Sequence, residues 1–358
     1  MERFTQMLAT GLQRDGEAVE VWKPVVCFGR FAKSTLSGFG KWLGYLDKWI
    51  LFPILLHIRR RSFPTARFHV CDHSNAPYLG HLPPNRTSIT CHDVLAIRGA
   101  MGFADSYCPA SRAGKILQRW ILSHLSKCNR IAVDSEMTMC QLVEISKQVD
   151  PKSQWQVIHV GFNDLFEPMN ADDAMKILVA NRIAVPNRFL LHVGSSLPRK
   201  NRRMLLRMVP ALGSRWDGKI VFAGQAMNTD LRSEALALGL SDGIIEATSL
   251  NHETLVALYS RCEVFVFPSY SEGFGWPLIE AQACGAPVIA SNLEPMPEVG
   301  GDGAIYASPD DVDQFVEAFM QFQPEAVRSS LIQKGFENCK RFDPKLMIDK
   351  YRALIYSG

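Results

Sequence analysis

The sequence has little of what marks several large classes of protein. Its net charge is only +3 over 358 residues, so no strong basic field indicates a nucleic-acid-binding protein. Its nine cysteines form no C-x-x-C pair, and its histidines and cysteines show no zinc-site spacing. We therefore expect free thiols in a reducing cytoplasm, no metal site and no bound cofactor.

Long apolar runs and a dinucleotide-binding motif are also missing. The longest apolar run, residues 49–58, is too short to span a bilayer and contains Pro53. No G-x-G-x-x-G opens either half of the chain after a predicted strand, which argues against an NAD enzyme. The composition, 47% hydrophobic and 21% charged, is that of a globular chain, and the length suits two domains.

The most informative stretch is residues 271–285, which read S-E-G-F-G-W-P-L-I-E-A-Q-A-C-G. It follows an apolar run, residues 264–267, that is typical of a buried strand. Gly273 and Gly275 permit a tight turn, Pro277 suits the first helical position, and Gly285 ends the helix. This strand, turn and helix would aim a helix N-terminus at the edge of a sheet, which is an anion-binding arrangement.

Two carboxylates flank this turn. Glu272 precedes the glycines, and Glu280 lies one turn inside the helix, on the order of 10 Å away. A ligand with hydroxyls at both ends and phosphate between them would fit, and a nucleotide sugar is such a ligand. The alternative is that both are ordinary surface glutamates, but the glycines and Pro277 between them make that reading less plausible.

Alternating strands and helices run through the whole chain and predict parallel sheets. Two similar α/β halves lie in tandem, so we predict domains over residues 1–165 and 166–342. A last helix, residues 343–358, would pack back toward the first domain. Residues 18–26 are predicted to form an early strand of the first half.

A motif with two basic residues follows the first strand of the second half. Gly194 and Ser195 open a turn, and Arg199 and Lys200 come at the predicted start of the next helix. Cations there oppose the helix dipole by roughly 0.3–1 kcal/mol each, a cost that a bound anion would remove. An exposed, solvated Arg-Lys pair is the alternative.

His92 ends a predicted strand of the first half, followed by Asp93. Ligands of open α/β sheets lie beyond the carboxyl ends of strands, so His92 is a candidate cleft residue. A hydrogen-bonded structural histidine is the other interpretation.

The motifs of the second half resemble those of a known family. Their order is G-x4-R-K-N, then V-F-A-G, then F-P-S-x-x-E-G-F-G-x-P-x-x-E-A-x-A-C-G-x-P-V-I-A-S. This order resembles that of retaining glycosyltransferases with the GT-B fold. More narrowly, it is similar to that of the large bacterial family four (glycosyl transferases group 1), which includes mannosyltransferase-like members. The match is weaker in the first half, where it consists of residues 92–93, 133–136 and 157–161.

The resemblance implies a role for each candidate residue. Glu272 would hold hydroxyls of the donor sugar, Glu280 would bind the ribose, and Arg199 and Lys200 would neutralise the departing pyrophosphate. His92 would reach the donor sugar from the first domain. The remaining nucleotide-sugar contacts would come from the two glycine turns and the following helix: Gly194, Ser195, Gly273, Phe274, Gly275 and Leu278. Many relatives carry an arginine at the position of Ser195, so here the charge falls on Arg199 and Lys200.

The implied reaction is retaining transfer of a sugar from a GDP- or UDP-linked donor to a hydroxyl acceptor, in polysaccharide or lipopolysaccharide assembly. A nucleotide-sugar epimerase and a catalytically dead interaction protein are the alternatives, since a fold does not fix a function. No metal is expected, because the one Asp-x-Asp triplet, Asp311 to Asp313, follows Pro309 and is typical of a helix start.

Residues 29–61 mix basic and aromatic side chains, Arg59-Arg60-Arg61 among them. This mixture suits peripheral contact with an anionic membrane at its inner face. A core helix with a solvated basic face explains the pattern equally well.

The start of the chain predicts one further feature. A GT-B protein should open with a central strand and a glycine-rich turn, but here a predicted amphipathic helix, residues 3–15, begins almost at Met1. We expect either a missing first strand or another segment in its place.

Overall fold

The computed structural model describes residues 2–31, 38–148 and 154–356. These residues form two parallel β-sheets, one in each half of the chain, with helices between successive strands. The alternation of strands and helices in the sequence therefore predicted the fold class correctly.

The first sheet has four strands that lie side by side in chain order, all parallel. Its central strands β2 and β3 are buried along their whole length, as expected for a parallel sheet. The strands are Phe68–Val70 (β1), Thr87–Cys91 (β2), Arg130–Val133 (β3) and Gln154–Val157 (β4).

The first half has one helix near the start of the chain, Glu2–Arg14, and a long irregular helix over residues 38–59. In the irregular helix a π-helical turn, Asp47–Leu51, joins two α-helical parts. The α-helices are Glu2–Arg14 (α1), Gly38–Leu46 (α2), Phe52–Arg59 (α3), Leu95–Met101 (α4), Arg112–Leu125 (α5) and Glu136–Ile145 (α6).

The second sheet has six strands in the order β10-β9-β8-β5-β6-β7. The order reverses between β5 and β8, and ligands of open α/β sheets bind in the crevice at such a point. The strands are Phe189–Gly194 (β5), Lys219–Gly224 (β6), Ile244–Thr248 (β7), Val264–Phe267 (β8), Val288–Ser291 (β9) and Ile305–Ala307 (β10).

The helices of the second half alternate with its strands, as the sequence predicts. Asp311 caps α13 by accepting a hydrogen bond from the Gln314 amide, so the Asp-x-Asp triplet is a helix start as predicted. The α-helices are Ala171–Ala180 (α7), Arg203–Leu212 (α8), Thr229–Ala237 (α9), His252–Arg261 (α10), Trp276–Ala283 (α11), Met296–Gly300 (α12), Val312–Gln321 (α13), Glu325–Cys339 (α14) and Pro344–Tyr356 (α15).

The strand predicted at residues 18–26 is wrong. This segment pairs with no strand of the described residues, and side chains hold it instead. Trp22 packs against Phe63 and Phe68, and Arg59 lies over the Trp22 ring while it pairs with Glu20. Val21, Val25 and Val26 are exposed, whereas Val19 packs partly buried against the core.

Strand β1 is an edge strand among the described residues. A cavity of about 1060 Å³ borders it, with walls from α1, residues 17–24 and α3. No described residue fills the place of a central first strand, so the missing-strand hypothesis stays a prediction.

Helix α15 returns to the first half, where it contacts α1, β2 and β3. The Tyr351 hydroxyl lies 3.0 Å from the Thr90 hydroxyl of β2, and its ring packs edge-on against Phe4 of α1. The exact domain boundaries stay a prediction. None of the described helices is both long and apolar enough to cross a bilayer.

Candidate active site

The loop that joins β8 to α11 follows one of the two strands, β5 and β8, between which the second sheet reverses its strand order. Gly275 has a φ of +109°, a backbone conformation that favours glycine, and it caps α11. Pro277 is the second residue of this helix rather than the first. The loop thus turns sharply enough to place Glu272 at the carboxyl end of the sheet.

Glu272 is buried and pairs with both predicted cations. Its carboxylate oxygens lie 2.6 Å from Lys200 Nζ and 2.6 Å from an Arg199 guanidinium nitrogen. Arg199 also donates to the Ser271 carbonyl over 2.8 Å. Burial alone would raise the pKa of Glu272, but the two cations outweigh it and lower the pKa. The two cations therefore favour the ionised form of the Glu272 carboxylate.

Arg199 and Lys200 do not lie at the start of an α-helix, so that prediction is wrong. They belong to a 3-10 turn, Pro198–Lys200, and α8 begins only at Arg203. Asn201 ends the turn in a left-handed conformation with φ +48°, and its side chain donates to the Pro309 carbonyl. The turn points both cations at Glu272, and the helix-dipole cost expected from the sequence does not arise.

Glu280 lies inside α11 and is buried. It accepts a hydrogen bond from the Tyr259 hydroxyl over 3.0 Å. Burial raises its pKa to about 7, although the Tyr259 hydrogen bond and the charge of Arg3 act in the opposite direction. A buried carboxylate with one neutral donor has unused capacity for further hydrogen bonds, such as those of a ligand's hydroxyls.

Gly273 packs directly against the first half of the chain. A Cβ atom at this position would lie 2.6 Å from the His92 carbonyl oxygen and 2.8 Å from Asp93 Cβ. The Gly273 carbonyl accepts hydrogen bonds from the hydroxyls of Ser135 and Thr138, at 2.9 and 3.2 Å. The glycine turn is therefore part of the contact between the two halves.

Two further contacts join the halves. The Glu298 carboxylate accepts hydrogen bonds from the Glu136 amide at the start of α6, and it pairs with His159 at 2.8 Å. The rings of Tyr107 and Tyr270 stack with their centroids 5.1 Å apart. With the Gly273 contact, they tie the two halves together across the cleft.

His92 lines the cleft, but both of its ring nitrogens already have partners. Nδ1 lies 2.7 Å from an Asp134 carboxylate oxygen and Nε2 lies 3.0 Å from the Cys71 carbonyl. Burial works against the imidazolium, but the Asp134 carboxylate outweighs it and raises the pKa of His92. A bound sugar would have to exchange with one of these partners to reach the ring.

A cavity of about 690 Å³ lies between the halves and brings most of the candidates together. Its walls include His92, Arg199, Glu272, and residues 273–275. Leu278 is buried, and its amide donates to the Gly275 carbonyl at the start of α11. Gly194 and Ser195 lie at the end of β5, away from this cavity wall. The described residues hold no group of three or more acidic, histidine or cysteine side chains placed to bind a metal ion.

Sequence reasoning missed Arg202, which is buried behind the turn after β5. Its guanidinium donates to the carbonyls of Gly194 and Gln225 and to the Ser196 hydroxyl, and it packs on the Phe222 ring. Arg202 thus fixes the turn that carries Gly194. The run Arg199 to Arg203 contains four basic residues, which was the available signal, but the sequence does not distinguish the buried ones.

The chain is similar in sequence to known glycosyltransferases, and the matched region contains the candidate site. The family model described as "Glycosyl transferases group 1" matches residues 175–335, which hold both glycine turns and both glutamates. The chain is 25% identical over 320 residues to O-antigen chain mannosyltransferase B of Escherichia coli, a match that covers 86% of this chain and 81% of that protein. It is 30% identical over 158 residues to O-antigen chain mannosyltransferase RfbU of Salmonella typhimurium, which covers 43% of this chain and 45% of that protein.

Solved structures of glycosyltransferases share the fold of this chain. A glycosyltransferase from Rickettsia africae matches 100% of this chain and 95% of its own length with a TM-score of 0.72 at 15% identity. The Anabaena protein HepE, solved in complex with UDP-glucose, matches 88% of both chains with a TM-score of 0.68 at 14% identity. The GT-B fold expected from the sequence is confirmed.

Proposed function

We propose that this chain, a group 1 glycosyltransferase with the GT-B fold, moves a sugar from a nucleotide sugar to a hydroxyl acceptor with retention of anomeric configuration. The observation that carries the proposal is the buried cluster of Glu272, Arg199 and Lys200 at the switch point of the second sheet. It combines a carboxylate for sugar hydroxyls with two cations for a pyrophosphate.

In the proposed reaction an acceptor hydroxyl oxygen bonds to the anomeric carbon as the bond from that carbon to the phosphate oxygen breaks. The electron pair leaves with the nucleoside diphosphate, and a phosphate oxygen takes the acceptor's proton on the same face of the sugar. Arg199 and Lys200 stabilise the charge that develops on the pyrophosphate. Preorganised cations in a buried site are effective because they need no reorganisation when the charge forms.

The other candidate residues take binding roles in this proposal. Glu280 accepts the ribose hydroxyls, and Gly273 to Gly275 face the donor with their amides. The start of α11, with Leu278, faces the phosphates, and Gly194 and Ser195 would contact them from the end of β5, outside the wall of the described cavity. His92 borders the donor sugar from the first half, where its bond to Asp134 fixes its orientation.

The donor and acceptor are proposed from the named relatives. Two of them are O-antigen chain mannosyltransferases and one structural neighbour binds UDP-glucose. We therefore propose a GDP- or UDP-linked hexose as donor and a growing glycan, free or lipid-linked, as acceptor in surface polysaccharide assembly. For a lipid-linked acceptor, we also propose peripheral contact with the inner face of the membrane through residues 29–61.

The proposal is tested by incubating the purified protein with a panel of GDP- and UDP-hexoses in the presence of EDTA. We expect one donor to be hydrolysed slowly, with water as the acceptor, and to release free nucleoside diphosphate without any divalent ion, because Arg199 and Lys200 would supply the charge that a metal would otherwise supply. Activity lost in EDTA and restored by magnesium or manganese contradicts metal independence. Conversion of a donor to its epimer without release of nucleotide contradicts transfer itself.

The raised pKa of Glu280 leads to a prediction about pH. Its pKa is about 7 in the folded chain against 4.5 as the ordinary value, so the ionised form is disfavoured by folding. Its contribution to the free energy of unfolding is complete below about pH 4.5 and is lost as the pH rises through 7. At pH 8, Glu280→Gln should therefore raise the melting temperature by roughly a few degrees, and this gain should vanish toward pH 5.

The same substitution should weaken donor binding by roughly 10–100-fold, because hydrogen bonds to a charged acceptor are lost. Calorimetric titration with the donor at pH 8 measures this. Glu317→Gln, an exposed site on α13, is the control and should change neither property. Unchanged donor affinity in Glu280→Gln would remove Glu280 from the binding site.

A further inference from the structure

An apolar stripe lies on the outer side of the helix formed by α2, the π-helical turn and α3. Its side chains are spaced four residues apart, and each is between 38% and 63% exposed. An i+4 repeat drifts by about 40° per step around an ideal α-helix, and the π-helical turn, with more residues per turn, reduces that drift. The stripe consists of Trp42, Leu46, Ile50, Ile54 and Ile58.

Helix α5 continues this surface. Its exposed face carries Ile116 and Trp120, which are 70% and 38% exposed. The Trp120 ring packs edge-on against Trp49 of the π-helical turn with centroids 5.0 Å apart. The two helices therefore present one apolar face, defined here as the stripe together with Ile116 and Trp120.

The charges around this face are almost all of one sign. Residues 38–61 contain one acidic residue, Asp47, and residues 112–125 contain none. Asp47 is buried, and its carboxylate accepts hydrogen bonds from the amides of residues 27–29. Exposed basic side chains lie at Arg61, just after α3, and at Arg112, Lys115 and Arg119 on α5, whereas Arg59 is paired with Glu20.

We propose that this face docks on an anionic lipid bilayer, with the stripe and Ile116 and Trp120 in the interface and the basic side chains at the headgroups. Apolar burial together with attraction to anionic lipid is the binding mode of interfacial helices. A second copy of this chain is a poor occupant, because two such basic faces repel each other. This inference extends the proposed contact of residues 29–61 to α5, and it does not depend on the transfer reaction.

Flotation with vesicles tests the proposal on the full chain. We expect wild type to float with vesicles of phosphatidylglycerol and phosphatidylcholine, but not with phosphatidylcholine alone, at low salt. Ile54→Glu should weaken partitioning by at least roughly tenfold, because it places a charge in the interface. Leu236→Glu, at a 71% exposed apolar site on α9, is the matched control and should float like wild type.

The role of α5 is tested separately by replacing Arg112, Lys115 and Arg119 together by glutamine. Each basic residue near an anionic surface contributes about 1 kcal/mol, so partitioning should weaken roughly a hundredfold. The control replaces three exposed lysines elsewhere, Lys176, Lys334 and Lys350, and removes the same charge.

Equal binding of the wild type to neutral and anionic vesicles overturns the docking proposal. An equal loss of vesicle binding in Ile54→Glu and in its control Leu236→Glu also overturns it. If the α5 triple variant matches its lysine control, α5 is not part of the face. Saturable binding of an acidic protein without any vesicle binding would also overturn the proposal. Release of nucleotide from a water-soluble donor should be unchanged in every variant, which separates this test from that of the transfer reaction.

Discussion

Replacing Lys200 by alanine should lower the rate of sugar transfer by roughly 10²-fold or more, the scale of losing one preorganised electrostatic donor. Lys200 is buried, and its ammonium lies 2.6 Å from Glu272. In the proposed reaction its charge acts mainly on the pyrophosphate as it departs, so turnover should fall more than donor affinity. Steady-state kinetics with saturating donor measures the loss.

The control for this variant is Arg203→Ala, which removes a nearby but half-exposed cation that pairs with Glu234. It should retain near-wild-type turnover. Glu272→Gln supplies a second test, because it keeps the shape of the site while it removes the carboxylate that would hold the sugar. If Lys200→Ala and Glu272→Gln both fold and turn over normally, the cluster is not the catalytic centre.

Replacing Gly273 by alanine should also lower turnover by roughly 10²-fold, although it removes no functional group. The added methyl would lie 2.6 Å from the His92 carbonyl oxygen and 2.8 Å from Asp93 Cβ, so the loop and the first half must move apart. A displacement on the order of 1 Å in a reacting geometry costs about this factor. Kinetics gives the loss, and small-angle X-ray scattering should show a larger radius of gyration.

Gly243→Ala is the matched control for this effect. A Cβ atom there would have no neighbour within 4 Å, so both turnover and scattering should match wild type. Wild-type turnover in Gly273→Ala would mean that the close contact of the two halves at Gly273 is not needed for the reaction.

The second half of the fold was predictable from sequence because its signals are local. Strand, glycine turn and helix follow one another within residues 264–285, and a Gly or Pro marks the end of the strand and both ends of the helix. The pairing of Glu272 with Arg199 and Lys200 joins residues about 70 positions apart. The family resemblance brought these residues to one site, but their spacing alone did not show that they touch.

The first half was harder because its segments depend on tertiary partners. Residues 18–26 alternate like a strand, yet a strand needs an edge to pair with, and here Trp22 anchors the segment through side chains instead. Likewise, Asp134 looks like the end of a strand, and only the folded chain shows its bond to His92. The buried position of Arg202 beside the exposed Arg203 was equally invisible in a run of basic residues.

The contact between the halves was the least predictable part of the site. The glycine at position 273 was interpreted as freedom for a turn, whereas the structure shows that its missing side chain admits the backbone of His92. Glu298 carried no signal at all, although it caps α6 from the opposite half. Such contacts depend on the fit between two surfaces that are built from distant parts of the chain, so no single stretch of sequence predicts them.

The central claim is retaining transfer from a nucleotide sugar bound in this cleft, and proton NMR of the reaction tests it most directly. The purified protein is incubated with the donor that it consumes, and the anomeric proton of the first product is followed before mutarotation. We predict free nucleoside diphosphate together with a sugar product of the same anomeric configuration as the donor. A product of inverted configuration, or no consumption of any donor in the panel, would contradict the claim.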